Sequence, residues 1–200
     1  MNLAVLAIVL VFMIYLRIGI KWSDKVFKKT QDGFRKREED ANFTRRKSLD
    51  DLDYVTIPED VAGLINRFKN DDLKALLKED TKIVNLNGIS NTDLKLKYGA
   101  PNINILSEYD KNFETLVKGL QDMVSEEAGD TFNTDEKTAI LEFATDIHTD
   151  ISASYETLAK IYKDTGRDAK IHSLIKKAES IKNIRGPRII EKLNAILETN

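Results

Sequence analysis

The chain has no cysteine among its 200 residues, which excludes disulfides, thiolate metal sites and thiol nucleophiles. Three prolines and nine glycines are too few for an all-β fold, which needs turn residues about every 8–12 positions. Only two histidines are present. His148 lies in Asp146-Ile-His148-Thr-Asp150, a string that invites a metal reading, but no second histidine or cysteine is near it in sequence, and Asp150 reads as a helix boundary. His172 falls on a basic helical surface. Phosphate-cradling loops of the GxxxxGK[ST] or GxGxxG kind are missing, as is a GxSxG elbow. No metal, cofactor or catalytic residue is therefore expected, and the chain is read as a non-enzyme.

Charge is present but unevenly placed. Residues 1–50 hold eleven Lys/Arg and six Asp/Glu, whereas residues 51–200 hold twenty and twenty-seven. The acidic part is a poor match for nucleic acid, whose phosphates require clustered cations. Hydrophobic residues at 42 % and charged residues at 32 % place the remainder with globular rather than disordered chains.

One long apolar run dominates the start. From Leu3 to Leu16 every side chain is apolar, and after Arg17 the run resumes through Ile18, Gly19 and Ile20. As helix this is about 27 Å long, just enough for a bilayer core of about 30 Å if Arg17 snorkels outward. No Lys or Arg precedes the run and no A-x-A site follows it, so it reads as an uncleaved anchor rather than a signal peptide. Tyr15 and Trp22 suit an interfacial aromatic belt, and Arg17, Lys21, Trp22, Lys25, Lys28 and Lys29 form the membrane flank. The positive flank places the rest of the chain in the cytoplasm and the amino terminus outside. The basic neck is expected to attract anionic lipid headgroups.

The expected organisation is an anchor over 1–20, a basic juxtamembrane segment and linker over 21–57, and a soluble helical domain over 58–200. Lys21–Gln31 extends the membrane helix, with Ile18, Trp22, Val26 and Phe27 as a stripe against the headgroups. Asp32-Gly33 ends it, and the charged stretch 34–50 reads as a flexible linker. Pro58 suits a first helical turn before Val61, Leu64, Ile65 and Phe68. Asn70 reads as the cap of one short helix and Ser90 or Asn91 as that of a second, with Gly99 as the stop of the second. Ile83 to Leu86 reads as a short extended piece outside any sheet. Apolar residues at threes and fours predict a long helix over 101–127 and four more over 134–147, 152–165, 167–181 and 186–198. Thr134 and Ser152 are the expected caps of the first two of these, and Gly166 the stop of the second. The fold class is all-α: a transmembrane helix followed by an antiparallel bundle or a short helical-repeat domain.

Tyr155, Leu158, Ala159 and Tyr162 have the spacing of the first helix of a tetratricopeptide repeat, and Ile171, Ile175 and Ala178 that of the second. Ala139 and Phe143 repeat the pattern 32 residues earlier, behind Phe113, Leu116, Val117 and Leu120. Residues 113–181 thus resemble tetratricopeptide-type units, without the family's late proline. The resemblance implies stacked helix pairs with a groove, and places Glu156, Lys160 and Lys163 on the partner-binding face. Through Gly88-Ile-Ser-Asn-Thr-Asp-Leu-Lys-Leu-Lys-Tyr-Gly99 the whole chain also resembles a group of single-pass membrane proteins of Gram-positive bacteria, a likeness that implies no activity. The expected function is a membrane-anchored cytoplasmic docking or scaffold module for a protein partner. The alternatives are a structural subunit of a membrane complex and an enzyme with a dispersed site.

Overall fold

The computed structural model describes residues 3–125 and 131–198, with the side chains of residues 3–11, 24 and 26 outside the description. Nine α-helices and one 3-10 turn make up the described chain: α1 Leu3–Asn42, α2 Glu59–Arg67, α3 Asp71–Ala75, α4 Asn91–Tyr98, the turn Ala100–Asn102, α5 Ile103–Val124, α6 Thr134–Asp146, α7 Ser152–Asp164, α8 Ala169–Glu179 and α9 Arg185–Glu198. There is no strand among the described residues; Tyr54 and Val84 meet in a lone antiparallel bridge. The all-α expectation therefore holds.

The chain divides into two compact units, one of Met1–Lys47 with Ser90–Ile103 and one of Ser48–Ile89 with Asn104–Asn200. In the first unit the helix expected to stop at Asp32-Gly33 does not stop. Gly33 has open space around it, and a glycine inside a helix costs only about 1 kcal/mol relative to alanine. The residues after it, FRKREEDAN, are mostly good helix formers, so α1 runs on to Asn42 in place of a linker. Its far end is held by α4. Arg37 pairs with Asp93, Thr92 donates to Glu38, and Lys95 donates to Asn42. Beyond α1 the chain is fastened by main-chain bonds from Ala100 N–H to the Thr44 carbonyl and from Lys47 N–H to the Tyr98 carbonyl. The buried Asn102 completes the junction, its amide donating to the Lys47 and Tyr98 carbonyls and its oxygen accepting from Arg46.

Among the described residues no helix is long and apolar enough to cross a membrane. The span expected over 1–20 draws half of its apolar side chains, up to Val11, from outside those residues.

The second unit is a helical core filled mostly by the residues that the spacing selects, except that Ile140 and Leu174 are buried where Ala139 and Ile175, expected to pack, are only half-buried. Phe113, Leu116, Val117 and Leu120 of α5, Ile140 and Phe143 of α6, Tyr155, Leu158, Ala159 and Tyr162 of α7, and Ile171, Leu174 and Ala178 of α8 are all buried in one cluster, with Ile189 and Leu193 of α9. Residues 48–57, whose apolar Leu49, Leu52, Tyr54, Val55 and Ile57 suit an extended segment packed on the domain, lie in this unit. Leu52 is buried there, and Val55 N–H donates to the Ile83 carbonyl. The extended piece at 82–86 is in turn pinned along α5: Val84 N–H donates to the Tyr109 carbonyl, Leu86 N–H to Asp110, and the Asn112 amide to the Lys82 carbonyl.

The caps correct two local expectations. Asn133, not Thr134, caps α6, and Glu136 reaches back to close a full capping box. Ile151 occupies the cap position of α7, and Ser152 instead donates to Glu156 one turn on. Asn70 and Ser90 cap α3 and α4 as expected.

Candidate functional site

The stripe Glu156, Lys160 and Lys163 lies on α7 at four- and three-residue spacing, so all three share one helical face. That face is largely taken. Glu156 accepts from Ser152 Oγ at 2.7 Å and from Lys192 Nζ of α9 at 2.6 Å. Lys163 Nζ donates to the Ile196 carbonyl at 2.7 Å, satisfying one of the acceptors that the end of α9 leaves open. Burial alone would raise the Glu156 carboxyl, but the Lys192 ammonium and the Ser152 hydroxyl outweigh it and hold it below the usual range. Lys160 alone of the three is exposed. Helix α9 therefore engages two of the three residues that the resemblance gives to a partner. The sequence shows α9 as amphipathic but not which face of α7 it covers.

Across the same helices Glu142 of α6 collects the Tyr162 hydroxyl at 2.6 Å and Lys170 Nζ at 2.8 Å. Burial alone would raise its carboxyl, yet Lys170 and Tyr162 together hold it below its ordinary value of 4.5. Because the folded state binds this proton less readily than the unfolded chain, the contribution is present above about pH 4.5 and is lost as the pH falls through the lowered value. Melting temperature measured from pH 7 down to pH 3 should thus fall less steeply in Glu142→Gln than in the parent chain.

A cleft of about 410 Å3 opens at one end of the helices of the second unit. Its walls are the loop after α6 (Asp146, Ile147, His148 and Asp150), the turn after α8 (Ser180 to Asn183), the segment 53–56, and Asn85, Asn87 and Ile89. Local backbone chemistry sets His148 in this cleft. At the end of α6, Thr149 N–H donates to the Ala144 carbonyl and His148 N–H to the Thr145 carbonyl, the two bonds of a Schellman stop. The residue at its corner must take a positive φ, and His148 has φ 57. The helix after it ends in the same way, with Arg167 N–H on the Tyr162 carbonyl and Gly166 N–H on the Lys163 carbonyl. There the corner residue is glycine, at φ 67. A β-carbon in this conformation costs about 1 kcal/mol. Asn85 holds the strained corner, its amide donating to the Ile147 and His148 carbonyls at 3.2 Å each.

The imidazole Nδ1 lies 3.0 Å from Ser180 Oγ. The Ser180 hydroxyl also donates to the Lys177 carbonyl at 2.6 Å, which ties the imidazole to the end of α8. Both nearby carboxylates are neutralised: Asp146 by Lys177, and Asp150 by Arg185 and the Asn183 amide. Among the described residues no group of three or more His, Cys, Asp or Glu is placed to hold a metal. His172 is exposed on α8.

His148→Gly is expected to raise the stability of the second unit by about 0.5–1 kcal/mol, read as a shift of its denaturant midpoint at unchanged slope. A loss would mean that the Ser180 contact outweighs the backbone strain. The signal for this corner is weak in sequence, since the eye searches for glycine at helix ends and finds none between α6 and α7.

The residues expected to flank a membrane, Arg17, Lys21, Trp22, Lys25, Lys28 and Lys29, are all exposed along α1. Comparison of the chain with protein-family models, curated proteins and solved structures returns no match.

Proposed function

We propose that the chain is a membrane-anchored docking module whose helical units face the cytoplasm. One observation carries the anchoring: Phe12, Met13, Ile14, Tyr15, Leu16, Ile18 and Ile20 are exposed on every side of α1. A helix that is apolar all round requires apolar surroundings. The run Leu3–Val11 continues it in sequence, and the basic flank supplies the cytoplasmic end and a site for anionic headgroups.

The docking site in this reading is the cleft at His148 rather than the α7 stripe, of which α9 engages Glu156 and Lys163. A histidine kept where a glycine ends the next helix trades stability for a side chain in the cleft. Asn85 and Asn183 are spent on holding the walls of the cleft, and the exposed amide of Asn87 beside them suits the main chain of an extended peptide segment.

Two measurements test this. A reporter fused after Asn200 should be active only in the cytoplasm, and protease added outside intact cells should leave the helical units uncut; cleavage from outside overturns the orientation. A photo-crosslinker at Asn87 should capture a polypeptide in intact cells, and capture should fail in His148→Gly. Equal capture by that variant removes the cleft from the function.

A further inference from the structure

The part of α1 between the apolar run and its α4 dock carries a second, different surface. At about 100° per residue, Ile20, Ser23, Phe27, Thr30, Gln31 and Phe34 fall within one uncharged sector about 120° wide. Lys25, Lys29 and Lys36 lie on the opposite side of the helix. Phe27 and Phe34 are 62 % and 66 % exposed, although each is a large apolar side chain.

The headgroups do not cover them. With α1 unbroken from Leu3 to Asn42, Phe34 lies about 21 Å beyond Ile20 along the axis, whereas the headgroup layer is only about 5–8 Å deep. This stripe differs from the expected headgroup stripe of Ile18, Trp22, Val26 and Phe27, with which it shares only Phe27. Ile20, Phe27 and Phe34 recur at seven-residue intervals, filling one of the two positions of a coiled-coil seam, with the small polar Ser23 and Thr30 at the other. Ala41, next in the series, is buried where α1 meets α4. The stripe thus continues an interface that the fold already uses.

We infer that this stripe is the seam of a parallel α1–α1 pair, its occupant a second copy of this chain. Resting on the membrane reading, the argument for an identical partner is one of register. Two copies anchored at the same depth bring Phe27 opposite Phe27 and Phe34 opposite Phe34, with the lysines turned outward and apart. A seam of like apolar residues tolerates such symmetry, and a closed two-fold pair satisfies it fully.

The absence of native cysteine allows a direct test in the full chain in its own membranes. Phe27→Cys and Phe34→Cys, mildly oxidised, should each give a disulfide-linked species of about twice the 22.7 kDa chain mass. Lys29→Cys and Lys36→Cys should give at least tenfold less. These positions are exposed, so folding is not at stake. Equal yields on both faces, or no adduct at the phenylalanine positions, would overturn the pair. An adduct of any other mass would assign the seam to a different protein and also overturn it. Sedimentation with membranes, read on the same samples, reports anchoring separately from pairing.

Discussion

Leu158→Asp is expected to unfold the second unit. Leu158 is fully buried on α7, in the cluster shared by α5 to α9. An aspartate there loses the leucine contacts and buries a carboxyl that can escape only by staying protonated or by opening the structure. The cost is about 4–5 kcal/mol, comparable with the whole stability of many domains at about 5–15 kcal/mol. Helical ellipticity of the full chain in detergent should melt well below the parent temperature, with only the signal of the first unit, α1 with α4, persisting. Lys160→Glu, two residues away on the exposed face, serves as the control and should stay within about 0.5 kcal/mol. Parent-like melting of Leu158→Asp would show that the α7 face is assigned wrongly.

The second large effect is expected at Gly99. Its φ is +95, and a β-carbon there would sit 2.7 Å from the Arg45 carbonyl carbon and 2.8 Å from Arg46 Cα. These are main-chain atoms, held by the bonds that tie Thr44 and Lys47 to Ala100 and Tyr98. Gly99→Ala therefore pairs a disfavoured backbone conformation with a clash that no side-chain rotation relieves. Together they cost about 2–4 kcal/mol. Amide exchange should accelerate at Lys47, Ala100 and Asn102 while the core of the second unit keeps its protection. Unchanged exchange at those amides would contradict the close approach of the two segments.

These two sites also mark what a sequence yields. Leu158 is legible because its burial follows from spacing: Tyr155, Leu158, Ala159 and Tyr162 repeat with the helix, and the same rule finds Phe113, Leu116 and Leu120. Gly99 is legible as a stop, since a glycine after Tyr98 is what a helix end favours. The reason for its stringency is not legible, because Arg45 and Arg46 approach from more than fifty residues away. The same gap explains α1 beyond Gly33. Charge without apolar period reads as linker, yet Arg, Lys and Glu favour helix, and the contacts that reward it come from α4. The candidate site suffers most. Glu156 and Lys163 are placed on the right helix and face, but only the position of α9 reveals that they are occupied. His148 stands out only beside Gly166, when two helix ends of equal geometry are compared.

The separation between α1 and α4 also sets an order in time. Arg37 waits for Asp93, 56 residues downstream. At a synthesis rate of about 5–20 residues per second, that partner follows about 3–11 s later. The apolar start of the chain therefore has that interval in which to reach its surroundings before the far end of α1 is fastened. Ser90–Ile103 is needed by the first unit yet is made between the two halves of the second. The clasp around Gly99 thus closes while α5 to α9 are still to come, and the attachment of α1 precedes the completion of the core that it carries.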